Sequence, residues 1–115
     1  MAANMDSILE SVKKMIAADD YFEVDLITHI NTVFAKLQQM GVGPENGFHI
    51  EDDMAEWSTY TEDENILNMV KTYMILQVKL YFDTSTTSSH IIDLMKEQCA
   101  ELEWRLNAAC DYNSK

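Results

Sequence analysis

The chain has 115 residues, 47% of them hydrophobic, and its twenty acidic and eight basic side chains give a net charge of -12. This length and composition predict one folded domain over residues 1–115, with frayed ends at about residues 1–5 and 111–115. The charge argues against a nucleic-acid-binding groove and against docking on an anionic membrane, because both need clustered lysine and arginine.

No stretch of the sequence predicts export or a membrane span. The first ten residues contain no lysine or arginine, and no apolar run approaches the length of a span. Cys99 and Cys110 are the two cysteines. Eleven residues of helix would separate them by about 16 Å, which is too far for a disulfide. We therefore expect free thiols, which suit a reducing cytoplasm.

The first predicted helix begins after Asp6 or Ser7 and ends near Ala18. Ser7 followed by Glu10 is a capping-box pattern. The apolar positions after it share one helical face. They are Ile8, Leu9, Val12 and Ile16.

The second predicted helix runs from about Glu23 to Met40, and Gly41 ends it as a C-terminal glycine commonly does. Its apolar residues recur at spacings of three and four, which is typical of a helix with one buried face. They are Leu26, Ile27, Ile30, Val33, Phe34, Leu37 and Met40.

The helical pattern disappears from residue 42 to residue 61. GPENG is turn chemistry, and two apolar residues that alternate with polar ones hint at a strand, so the segment could hold a short β-hairpin. A loop this long is commonly functional or disordered. Either its large side chains fix it to the core of its own chain, or they contact a neighbouring chain. These candidate interface residues are Phe48, Ile50, Trp57 and Tyr60.

The stretch from Glu64 to Phe82 is the most continuously apolar in the chain, and Thr61 with Glu64 forms a second capping-box pattern before it. Two neighbouring apolar ridges make a wide stripe, so we expect other helices to cover this helix on more than one side. One ridge is Ile66, Val70, Tyr73, Gln77 and Leu80. The other is Leu67, Val70, Met74, Val78 and Tyr81.

The last predicted helix runs from Ser88 or Ser89 to about Ala109. Its seam of apolar residues is Ile92, Met95, Cys99, Leu102, Leu106 and Ala109. Trp104 lies away from this seam, which suggests a second surface to bury. The whole pattern predicts an all-α fold, a small bundle of about four helices with one long loop between the second and third.

No motif for catalysis or for binding a cofactor or metal is recognisable. There is no phosphate-binding GxxxxGK[ST] loop and no GxSxG turn. His29, His49 and His90 lack zinc-ligand spacing, and the acidic run at residues 51–53 lacks the ligand spacing of an EF-hand. We expect no enzymatic activity, no cofactor and no metal.

Three segments carry a resemblance to a known family. They read DLITHINTVFAKLQQMGVGP at residues 25–44, GFHIEDDMAEWS at residues 47–58 and QCAELEWRLN at residues 98–107. Their order and spacing resemble the helical head–tail connector proteins of tailed bacteriophages, over roughly residues 8–107. The polar segment TSTTSSH at residues 84–90 departs from the family, whose members often carry proline there.

The resemblance implies a structural role without enzymatic activity or cofactor. It implies a ring, with twelve copies expected, under the portal protein of the filled phage head. Such a ring would extend the DNA channel, let double-stranded DNA pass without specific binding, and dock the next neck (stopper) or tail-completion protein. Assembly would take place in the host cytoplasm and leave the protein in the neck of the virion. We expect Trp104, Arg105 and Tyr112 to contact the portal.

Two other functions are compatible with the residues alone. One is an acidic protein that mimics DNA and inhibits a host nucleic-acid enzyme, because the charge is so negative. The other is a small enzyme with an unrecognised site, which would need a pocket holding groups of perturbed pKa.

Overall fold

The protein is described here by a computed structural model, which covers residues 6–17, 23–82 and 87–113 (for residues 111–113, the backbone alone). Five helices occupy these ranges: α1 (Ile8–Ile16), α2 (Glu23–Gln39), α3 (Trp57–Tyr60), α4 (Glu64–Tyr81) and α5 (Ser89–Asn113). The all-α prediction is confirmed. The count differs from the expected four because the long loop contains the one-turn helix α3.

The start of α1 forms as its sequence predicts. The Ser7 side chain accepts a hydrogen bond from the backbone N–H of Glu10, so Ser7 is the N-cap. The helix ends at Ala17, which takes a left-handed conformation with φ 56°. Ile8, Leu9 and Val12 are buried, as the one-faced apolar pattern requires.

The end of α2 is set by Gly41, which has φ +82°. The N–H of Gly41 donates to the carbonyl of Gln38, and the N–H of Val42 donates to the carbonyl of Leu37. This is a Schellman motif, which satisfies carbonyls at the end of a helix and needs a left-handed residue at the glycine position. Leu37 and Val42 are both buried, so the motif also carries its usual apolar contact.

Helix α4 lies at the centre of the fold and contacts α1, α2 and α5. This explains why its apolar stripe is so wide, and the expectation that several helices cover it is confirmed. The predicted capping box is wrong: the N-cap is Asp63, whose carboxylate accepts from the N–H groups of Asn65 and Ile66. The side chain of Thr61 instead accepts a hydrogen bond from the N–H of Asp63, and Asp63 is the residue just before α4.

Helix α5 is 25 residues long and continues to Asn113, beyond the predicted end at Ala109. The N–H of Ile91 donates to the Ser88 side chain, which caps its start. The predicted seam packs on α4, with Cys99 and Leu106 as its buried members. The ends that were expected to fray fall at residues 1–5, 114 and 115, outside the described residues, and at residues 111–113, which are helical.

The segment between α2 and α4 contains no β-hairpin within residues 42–61. Its one β-type contact is an isolated antiparallel bridge between Ser7 and Glu56. The alternation around Phe48 arises because alternate residues face the core, not because two strands pair. None of the described helices is long and apolar enough to cross a membrane.

Candidate interaction surfaces

The loop between α2 and α4 is fixed to the core of its own chain. Ile50, Trp57 and Tyr60 are buried at 4% exposure or less, and Phe48 is partly buried against the same core. Of the two interpretations left open by the sequence, fixation to its own core therefore describes these side chains. A contact between this loop and a neighbouring chain stays a prediction.

Phe34 of α2 anchors the aromatic side chains of the loop. Its ring centroid lies 5.0 Å from those of Phe48 and Tyr60 and 6.2 Å from that of Trp57. Inclined aromatic pairs at such distances add to the free energy gained from burial. Phe34 thus holds the aromatic side chains of the loop, and the sequence had placed Phe34 on the buried face of the second helix.

Hydrogen bonds fix the loop to α1 and α2 at separate points. Asn31 of α2 holds Ile50 by two bonds, accepting from its N–H at 2.7 Å and donating to its carbonyl at 2.9 Å. The indole Nε1 of Trp57 donates to Oγ of Ser11 in α1 at 2.8 Å. The N–H of Ile8 donates to the carbonyl of Ala55. These bonds satisfy polar groups that burial would otherwise leave unpaired.

Residues 51–54 form one continuous accessible stretch of the loop. We call it the acidic tip: Glu51, Asp52, Asp53 and Met54 are all exposed, and Met54 has 78% of its surface accessible. Asp52 accepts the N–H of Met54, which shapes the turn. The sequence pointed to the large residues of this loop, but the structure leaves its charged ones available for contact.

Helix α5 presents Trp104 to solvent at 72% exposure, on the face away from α4. Arg105 beside it is exposed, and its Nε and Nη2 both donate to Oε1 of Glu101, at 3.0 and 2.7 Å. The side chain of Tyr112, the third residue predicted to contact the portal, lies outside the described part of the chain. The structure therefore places two of the three on one accessible stretch of α5.

Two exposed apolar residues of α5 escaped the sequence reasoning. Ile91 is 50% exposed and Leu94 46% exposed. In the chain they come before the residues of α5 that line a groove between α4 and α5. The walls of this groove include Met69, Leu76 and Leu102. The sequence did indicate them, as two apolar residues three positions apart that do not belong to the seam. The stronger periodicity of the seam drew attention away from this pair.

A family model described as phage connector protein matches residues 8–113. The chain belongs to the phage connector protein family. No curated protein and no solved structure matched it. The resemblance seen in the sequence is confirmed, and the coarse role that follows is that of a structural connector in a phage particle.

One buried hydroxyl of the connector lacks a partner. Oη of Tyr60 is buried and forms no hydrogen bond with any described residue. It lies beside the turn at Gly43, where a Cβ would come within 2.5 Å of it. Burial raises the pKa of the Tyr60 hydroxyl well above its ordinary value, and the nearby Cys110 thiol adds to this. Gly43 is therefore needed both for its φ of +88° and for the space.

A second hollow of the connector, of about 400 Å³, lies between α4 and α5 beside α2. Lys96 lines it, and Lys36 stands at its edge with Nζ 3.4 Å from Oε1 of Gln77 and 5.3 Å from the ring centroid of Tyr81. We call it the lysine hollow. Leu80 and Tyr81 give it an apolar wall.

Two residues that line the lysine hollow, Cys99 and Glu103, are held neutral and hydrogen-bonded, respectively. Oη of Tyr73 donates to Oε2 of Glu103 at 2.7 Å. Burial, then the charge of Glu103, raises the pKa of the Cys99 thiol, which disfavours a reactive thiolate. Cys99 and Cys110 are free thiols on the same helix. Among the described residues, no group of three or more histidine, cysteine or acidic side chains is placed to hold a metal ion.

Proposed function

We propose that this connector forms a ring under the portal protein, joins the DNA-filled head to the tail and extends the DNA channel. The ring consists of copies of this chain, twelve by expectation. Its far side docks the next neck (stopper) or tail-completion protein. The protein assembles in the host cytoplasm and ends in the neck of the virion.

The observation that carries the proposal is the family match over residues 8–113. The surfaces described above support it, because the chain keeps a fixed core while an acidic tip and a long terminal helix stay accessible. Trp104 and Arg105 on the terminal helix are of residue types enriched at protein interfaces. The charges of the acidic tip can steer and orient a partner of opposite charge.

The exposed stretch of α5 around Trp104 is the proposed contact with the portal. An accessible tryptophan is among the residues that contribute most to binding once a partner buries it. Arg105 lies next to it, and its surface pair with Glu101 contributes little to stability, so the guanidinium is free to exchange partners. Tyr112, two turns further along α5, belongs to the same proposed surface.

The loop between α2 and α4 is the proposed contact with a neighbouring subunit or with the next neck protein. The contact depends indirectly on four side chains that hold the loop against Phe34 and α1, namely Phe48, Ile50, Trp57 and Tyr60. The acidic tip, and the exposed part of Phe48, are what a neighbouring subunit would meet.

The net charge of -12 supports passage of DNA without specific binding. A channel wall that carried clustered lysine and arginine would bind phosphates and retard the DNA. An acidic wall repels the duplex and keeps it centred.

The decisive experiment mixes the purified connector with the portal protein of the same phage and images the mixture by negative-stain electron microscopy. We expect an extra ring of density on the tail-side face of the portal. Bare portals at high connector concentration would overturn the proposal. Removal of residues 108–115 is expected to abolish the ring if α5 contacts the portal, and an unchanged ring would reject that contact alone.

The acidic DNA mimic was the second function open from the sequence. The family match favours the connector role over it. If portals stay bare, inhibition of a host nuclease is the measurement to make next.

A further inference from the structure

The lysine hollow brings two lysines together in a chain that has few basic residues. The acidic residue of its lining is Glu103, whose carboxylate accepts the hydrogen bond from Tyr73. Lys36 and Lys96 are two of only eight basic residues. Neither forms an ion pair with a carboxylate of the described residues, and Lys36 contacts an amide oxygen and the face of Tyr81. An ammonium has three donors, so both lysines keep donors for an acceptor from outside the chain.

The acidic tip has the complementary chemistry. Its three carboxylates are consecutive and exposed, and Nε2 of His49 lies 3.8 Å from Oε1 of Glu51. Met54, next in sequence, exposes an apolar side chain. The lysine hollow offers both counterparts, namely ammonium groups and an apolar wall at Leu80 and Tyr81.

The two features lie on different flanks of α2. The loop is fixed to α2 through Asn31, whereas the lysine hollow begins at Lys36. Five residues of an α-helix turn the chain by roughly 140°, so the two flanks face in widely different directions. A ring requires contacts of this kind, in which one surface of a subunit meets a different surface of the next.

We propose that the acidic tip of one connector subunit docks in the lysine hollow of its neighbour. The proposal rests on the ring described under the proposed function and identifies the two surfaces that would join its subunits. A second copy is the occupant that the charges favour, because each subunit carries both halves of the contact. Elsewhere the large negative charge of the subunits would oppose their approach.

The test uses charge reversal with portal-dependent ring formation as the readout. The lysine variant is Lys36→Glu with Lys96→Glu, and the tip variant is Glu51→Lys with Asp53→Lys. The control is Lys14→Glu with Lys79→Glu, at two exposed lysines on α1 and α4, which changes the net charge as much as the lysine variant does. Circular dichroism and thermal melting establish that each variant is folded, and Lys36→Gln with Lys96→Gln serves if the lysine variant is not.

We expect the lysine variant and the tip variant each to need about tenfold more protein for half-maximal ring occupancy, since like charges then face each other. The control should assemble as the unaltered chain does. Combining the lysine and tip changes in one chain should restore the ring, because the charges are exchanged and remain complementary.

Each of the other possible results would contradict one specific part of the proposal. If the lysine variant assembles as well as the control, the lysine hollow is not an intersubunit contact, although the ring itself stands. If the combined variant fails to recover, the occupant of the hollow is not the neighbour's acidic tip. If the unaltered chain forms no ring on the portal, the proposed function fails, and this inference fails with it.

Discussion

Tyr73 of α4 donates its hydroxyl to Glu103 of α5 over 2.7 Å, across the most extensive helix contact in the fold. Tyr60 has a buried hydroxyl without a hydrogen-bond partner in the described residues. The two tyrosines therefore form a natural pair for measuring what a buried hydroxyl contributes. Loss of a paired one leaves its acceptor unsatisfied, whereas loss of an unpaired one removes a cost.

We predict that Tyr73→Phe lowers the free energy of unfolding by about 1.5–3 kcal/mol, the range for a hydrogen bond to a charged group. Tyr60→Phe should leave it unchanged or raise it by up to about 1 kcal/mol. Urea titration of both variants measures the difference. Equal losses in the two would show that Tyr60 has a partner, such as a bound water.

Alkaline pH should destabilise the protein through the same two hydroxyls. Burial raises the pKa of Tyr73, as does its bond to Glu103, and burial raises that of Tyr60. The unfolded chain releases these protons near pH 10, an ordinary tyrosine value, while the folded chain still holds them. Stability is thus complete below about pH 10 and decreases as the pH rises above it.

The measurement for this pH dependence is the urea midpoint between about pH 8 and about pH 11. The double variant Tyr60→Phe with Tyr73→Phe should lose stability less steeply than the unaltered chain. Cys99 and Cys110, whose pKa values burial also raises, are present in both proteins and so do not affect the comparison. Parallel curves would contradict the assignment to the tyrosines.

Truncation of the two tryptophans to alanine should change the free energy of unfolding by very different amounts. Trp57→Ala removes a buried side chain and its bond to Ser11, so we expect a loss of about 3–5 kcal/mol in the free energy of unfolding. Trp104→Ala alters an exposed site and should change stability by no more than about 0.5 kcal/mol.

Portal binding distinguishes the tryptophans further. Trp104→Ala should weaken it by about tenfold or more if this residue is a binding hot spot. Binding as strong as that of the unaltered chain would remove Trp104 from the proposed portal contact. Thermal melting of Trp57→Ala provides the matching result for the loop, and an unchanged melting temperature would contradict its burial.

Met74 of α4 is fully buried, and Met54 in the loop is 78% exposed. Met74→Ala should lower the free energy of unfolding by about 2–5 kcal/mol, because it leaves a cavity among packed helices. Met54→Ala should have an effect within about 0.5 kcal/mol. Denaturant titration tests both, and similar midpoints would argue against the central position of α4.

Gly43 and Gly41 both have positive φ, but only Gly43 is closely packed. Gly41→Ala should cost about 1–2 kcal/mol, the penalty of the left-handed conformation alone. Gly43→Ala should cost about 1–3 kcal/mol more, since its Cβ would meet the Tyr60 ring and hydroxyl. If both substitutions lower the melting temperature equally, the turn moves away from Tyr60 at no cost.

Much of the fold was predictable because the pattern that indicates a helix lies within a short stretch of sequence. Periodic apolar residues located α1, α2, α4 and α5, and Ser7 and Gly41 marked two of their ends. The cap of α4 was misassigned because Thr61 and Asp63 are both good capping residues, and the backbone path decides which one is adjacent. The family was likewise accessible, since it depends on the order and spacing of short segments.

The sequence by itself determined the helical class, the seam of the last helix and the membership of the connector family. Only the tertiary structure decided the positions of the loop residues, because no periodicity links Trp57 to Ser11 or Tyr60 to Phe34. It also decided that Trp104 is exposed, and that Lys36 contacts Gln77 and Tyr81, which line the same hollow as Lys96. Such contacts join residues distant in the chain, and their free energy comes from burial that local patterns do not encode.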